Sequence, residues 1–239
     1  ADVLAAIGSP SIISGGNIIV DIHNLTVNEE TRLIKDLAGI IYPAGKFSMP
    51  APKTRSAEKT TEIKYSPPMR ELVAEHVLIK RLIALIPAIA QYLQSAKAVD
   101  LELISNCTDF ITQYADRFHH AKEEEILFGY FDNGLDILRV MVEDHKKGRV
   151  LVQAIKSALA EGGNNADWIS EKLSAYGTLL TEHIEKEDNI LYPWMDRMLT
   201  TGQVGELYSR FNQTNERFAG VAEKYEQRMN ELEYRFKEV

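Results

Sequence analysis

From residue 69 onward, apolar positions recur at helical spacing almost without interruption. One run covers about 69–95, with Leu72, Val73, His76, Ile79, Leu82, Ile83 and Ile86 on one face; Pro87 is expected to kink it. A second covers about 100–130 and breaks at Asp132-Asn133-Gly134. A third covers about 135–161 and stops at Gly162-Gly163-Asn164-Asn165. A fourth covers about 166–199, with Pro193 disturbing its last turns. The connections are short, so consecutive helices must be antiparallel neighbours. The pattern predicts an all-α fold, an up-down-up-down four-helix bundle.

Both ends extend beyond this bundle. A fifth helical pattern runs over about 203–237, with Phe211, Phe218, Tyr225 and Leu232 every seven residues and Tyr208, Ala222, Met229 and Phe236 in the adjacent stripe. This amphipathic helix either packs on the bundle or forms a homodimer seam. Before the bundle, β-branched runs flank Gly15-Gly16 within 12–20, which reads as a small strand or turn. Leu33, Ile34, Leu37, Ala38 and Ile41 predict a helix over about 28–41. Residues 48–68 carry Pro50, Pro52, Pro67 and Pro68 among Ser, Thr and Lys, which reads as a linker. The expected organisation is an N-terminal extension over 1–68, the bundle over 69–199 and the C-terminal helix over 203–239.

Composition narrows the function classes. The 239 residues are 45% apolar, enough for a substantial core. The net charge of −8, from 35 Asp and Glu against 27 Lys and Arg, argues against nucleic acid or an anionic membrane as partner. The single cysteine, Cys107, excludes an internal disulfide and a Cys-rich metal site, and reads as a small core residue. No apolar run approaches the roughly 20 residues of a membrane span, and no signal peptide is visible, so a cytoplasmic location is the expectation.

The chemistry lies in a repeat. His119-His120-Ala121-Lys122-Glu123-Glu124-Glu125-Ile126-Leu127-Phe128 aligns with His183-Ile184-Glu185-Lys186-Glu187-Asp188-Asn189-Ile190-Leu191-Tyr192, 64 residues later. Each copy sets a glutamate four residues after a histidine, on one face of a helix. Taken singly, either copy reads as a solvated i,i+4 pair in a charged run. Helices one and three add His76 and His145, 69 residues apart, each preceded by an acid (Glu75, Asp144) and followed at i+4 by a cation (Lys80, Arg149). His76, His119, Glu123, His145, His183 and Glu187 together make a duplicated six-ligand constellation. Nitrogen and oxygen donors without thiolate suit two first-row ions such as iron, manganese or zinc. Six protein ligands leave the pair coordinatively unsaturated, and the open position is where function would reside. Tyr114 and Tyr176 precede ligand histidines by one to two turns, as hydrogen-bond donors or core residues. His23 reads as an ordinary surface or loop histidine.

Residues 70–197 resemble the hemerythrin-like, His-His-Glu cation-binding family, whose pattern is a His on helix one, His-x-x-x-Glu on helix two, a His on helix three and His-x-x-x-Glu or His-x-x-x-x-Asp on helix four. The endings Glu-Ile-Leu-Phe (125–128) and Asn-Ile-Leu-Tyr-Pro (189–193) also resemble the family's. The resemblance implies two iron ions in a non-haem, oxo- or hydroxo-bridged centre. Oxygen carriers of the family have His-x-x-x-His on helix three; here the second position is Arg149. His120 could supply a fifth imidazole, yet it lies about 100° round an ideal helix from His119. Asp188 competes with Glu187 as ligand, and the repeat favours Glu187. The expected function is binding or sensing of O2 or another small diatomic ligand such as NO. A di-iron oxidoreductase acting on O2, peroxide or NO, and an iron storage or delivery protein, are the alternatives. The paired-cysteine module of the family's iron–sulfur repair proteins is missing from this sequence, and the Glu-x-x-His grammar of ferritin-like enzymes is not met at Leu180.

Overall fold

The computed structural model describes residues 11–14 and 17–20 as backbone, and residues 64–96, 98–162 and 165–237 with side chains. The chain divides into two units, residues 1–63 and Lys64–Val239. In the first, β1 (Ser11–Ser14) and β2 (Asn17–Val20) pair antiparallel, with Ser14 opposite Asn17 and Ser11 opposite Val20. The strand-or-turn reading of 12–20 thus becomes a hairpin. The helix expected over 28–41, His23 and most of the Pro-rich linker lie outside the described residues.

The second unit is the all-α bundle. Its helices are α1 (Pro67–Ala96), α2 (Leu101–Phe110), α3 (Asp136–Ala160) and α4 (Ala166–Lys186). Asp100 caps α2 by accepting from the Leu103 amide, and Asn165 caps α4 by accepting from the Trp168 amide. The chain passes through Pro87 without leaving α1. Both repeat copies depart from α geometry. After α2 the chain runs through a π-helical stretch at Ile111–His120, another at Glu123–Leu127, and a 3-10 turn at Phe128–Tyr130. After α4 a π-helical turn, Glu187–Leu191, leads into α5 (Tyr192–Met198). Such turns are rare and concentrate where side chains are re-aimed for function.

The core is a column of aliphatic and aromatic side chains: Leu82, Ile86, Ile89 and Leu93 from α1, Phe110 and Ile111 from the second helix, Ile155 from α3, and Ile169, Leu173 and Leu180 from α4. α1 and α4 approach closely at Gly177, where a Cβ would stand 3.0 Å from Cδ1 of Ile86. Gly177→Val is expected to force this seam apart and cost about 1–3 kcal/mol, read from the urea midpoint.

The single C-terminal helix expected over 203–237 is two helices, α6 (Thr201–Arg217) and α7 (Val221–Phe236). Gly220, at φ +80°, makes the left-handed turn that separates them. Their heptad stripe packs onto the bundle within the chain: Phe211, Tyr225, Met229 and Leu232 are buried, and Tyr225 meets Phe110 edge-on at 5.5 Å between centroids. Arg81 clamps α7 through Glu233 at 2.8 Å. Much of the stripe weighed as a dimer seam is thus covered within the chain, while Tyr208 and Ala222 stay exposed. Among the described residues, no helix is long and apolar enough to cross a membrane.

Candidate metal centre

The four long helices bring all six sequence-predicted ligands into one buried cluster, and a seventh group joins them. Among the described residues, His76, His119 and Glu187 converge in one group, and His120, Glu123, His145 and His183 in another. Within each group the donor atoms lie within 4.8 Å of one another. The two oxygens of Glu187 stand 3.3 Å from Nε2 of His76 and 3.1 Å from Nε2 of His183, one toward each group. Oε2 of Glu123 stands 3.5 Å from Nε2 of His145 and 3.9 Å from Nε2 of His119. The two carboxylates thus lie between the halves, as bridging groups would.

Orphaned atoms test whether a cation fits. Nε2 of His119, Oε2 of Glu123 and both oxygens of Glu187 are buried without a hydrogen-bond partner. Nε2 of His145 and Nε2 of His183 face one another at 2.9 Å. Carboxylates at the outer nitrogens favour protons there, and two bare inner lone pairs at that distance repel. A proton or a metal ion must lie between them. Lost solvation and the charge of Glu187 push Glu123 well above the usual carboxylate range. Burial opposes ionisation of Glu187 too, but His183 and His76 outweigh it and hold that carboxyl well below the range. Burial would likewise depress His183, yet Glu187 and Asp144 lift it to about 9. The cluster is therefore an acceptor-rich pocket built for cationic charge. Its nitrogen and oxygen donors fit first-row divalent metals.

Each outer nitrogen faces a carboxylate of a neighbouring helix, and three of the four are hydrogen-bonded to it. Glu75 on α1 meets Nδ1 of His119 on the second helix at 2.8 Å. Glu124 on the second helix meets Nδ1 of His145 on α3 at 2.6 Å. Asp144 on α3 stands 3.8 Å from Nδ1 of His183 on α4, and Asp188 beyond α4 returns to Nδ1 of His76 on α1 at 2.7 Å. The hydrogen-bonded carboxylates steady His119, His145 and His76, the arrangement that fixes tautomer and ring direction in metal sites. A cation backs every carboxylate: Lys122 on Glu75, Arg149 on Glu124 at 2.7 Å, Lys186 on Asp144 at 3.0 Å and Lys80 on Asp188 at 2.5 Å. Asp188, weighed as a rival to Glu187, lies in this outer layer.

Tyr192 is a site residue that sequence reading misses. Its buried hydroxyl donates to Oε1 of Glu123 at 2.5 Å and lies 3.5 Å from Nε2 of His76. The signal was a difference between the repeat endings, Phe128 against Tyr192. Tyr114 instead joins the aromatic core between Phe110 and Phe118. Tyr176 lines a cavity of about 130 Å3 whose wall also includes His120, His145, Gly148, Val152 and His183.

The model of the hemerythrin HHE cation-binding domain matches residues 68–195. The chain belongs to that family. This hemerythrin-family chain is also 22% identical, over 195 residues, to the uncharacterized proteins Rv1995 of Mycobacterium tuberculosis and Mb2018 of Mycobacterium bovis. The match covers 77% of this chain and 76% of each relative. No solved structure matches the chain. Membership and the clustered His and Glu side chains make this hemerythrin-family chain a metal-binding protein.

Proposed function

We propose that the chain holds a non-haem di-iron centre and binds or senses O2 or another small diatomic ligand such as NO. His76, His119, Glu123, His145, His183 and Glu187 would hold the iron, which supplies a position for reversible binding of the diatomic. The observation that carries the reading is the enclosed donor cluster with a cavity against one side of it. A diatomic can reach such a wall, while the burial of the donors excludes bulk water.

The protein's own groups support binding over turnover. His76, His119 and His145 are each aimed by a carboxylate held in place by a cation, which stiffens the ligand set. Tyr192 holds one oxygen of Glu123 and leaves the other facing inward. Reduced, iron-loaded protein exposed to O2 is expected to develop a visible charge-transfer band that disappears on deoxygenation. Irreversible oxidation with continued consumption of O2 or peroxide would instead assign an oxidoreductase. A centre purified with zinc alone would refute both.

A further inference from the structure

We propose that His120 is a metal ligand, making the two halves of the centre unequal. The inference rests on the di-iron reading above. On an ideal α-helix, His120 would turn away from the face that carries His119. The π-helical stretch Ile111–His120 puts more residues in each turn, which narrows the angle between consecutive side chains. Both neighbouring imidazoles are consequently buried at the centre. The ring of His120 stacks on that of His145 at 3.9 Å between centroids and 17° between planes, and lies 5.8 Å from that of His183. Its donor atom falls within the same 4.8 Å group as Glu123, His145 and His183.

Like the other imidazoles, His120 has a carboxylate at its outer nitrogen, here from its own helix and too far for a hydrogen bond. Its Nδ1 stands 3.6 Å from Asp116, which Arg149 backs at 2.8 Å. Arg149 therefore serves two outer carboxylates, Asp116 and Glu124, and through them two imidazoles that stack on one another. One half of the centre then has three imidazoles, His120, His145 and His183, on the cavity side. The other has two, His76 and His119. The position that would take a histidine on α3 carries Arg149, and the second helix supplies the imidazole from the opposite wall.

Anaerobic Fe(II) titration of the full chain tests this. Wild-type protein is expected to take two ions, with 57Fe Mössbauer spectra of two quadrupole doublets of equal area. His120→Ala is expected to weaken one of the two binding steps by more than about 100-fold, beyond the 10–100-fold typical of losing an orienting partner. Added imidazole is expected to restore that step by occupying the space left beside the cavity. Asp116→Asn should weaken the same step by about 10–100-fold. Two unchanged steps in a folded His120→Ala protein would overturn the proposal while leaving the di-iron reading intact. Should that variant not fold, a single wild-type doublet overturns it and two doublets support it. Failure of the wild type to take two ions refutes the di-iron reading itself.

Discussion

Glu187→Ala is expected to drop the iron content of the purified protein from about two ions per chain to well below one. The reason is position. Glu187 sends one oxygen toward His76 and the other toward His183, so it touches both halves of the cluster. Deleting it would take away a donor facing each half of the cluster and an anion that would offset the charge of bound iron. Asp188→Asn is the informative contrast. Asp188 meets the far nitrogen of His76, so its loss is expected to weaken binding by only about 10–100-fold and leave both ions bound at saturating iron. Metal analysis after desalting distinguishes the two. The reverse order, with Asp188→Asn emptying the site and Glu187→Ala sparing it, would exchange their roles.

Helix count and order were legible because four long segments kept one period and Gly, Asn and Asp marked their ends. The C-terminal stripe kept its seven-residue spacing across a helix break. Spacing alone therefore concealed the turn, although Gly220 was the local signal. The six clustered donors were legible because a duplication printed a three-residue pattern twice. The outer layer was written in the same duplication. Acids precede His76 and His145, acids follow Glu123 and Glu187, lysines stand three after His119 and His183, and cations stand four after His76 and His145. These read as solvated charge because each acid serves a histidine on a different helix, and only the packed bundle reveals that pairing. The burial of His120 within the cluster was concealed for another reason. An angle computed from α geometry does not hold in a π-helical stretch.

The duplicated lysines yield the second large expected effect. Lys122 and Lys186 occupy the same place in the two copies, and each pairs the acid that faces its own helix's histidine. Lys122 is completely buried, with its ammonium on Glu75, 2.6 Å from Glu71 and 3.8 Å from the centre of the Phe118 ring. Burial lifts the Glu75 carboxyl to about 7 even with Lys122 beside it. Lys122→Met keeps the packing volume but leaves that carboxyl without its cation, and is expected to cost about 3–5 kcal/mol of stability. Lys122→Met with Glu75→Gln removes both members of the pair and should recover much of the loss, a non-additivity that a double-mutant cycle in urea resolves. Lys186 is partly exposed and Lys147 stands 3.3 Å from the same Asp144 carboxylate, so that acid keeps a cation without Lys186. Lys186→Met is accordingly expected to cost no more than about 1 kcal/mol. Equal losses at the two lysines would show that the Lys122 effect arises from something other than burial of its pair.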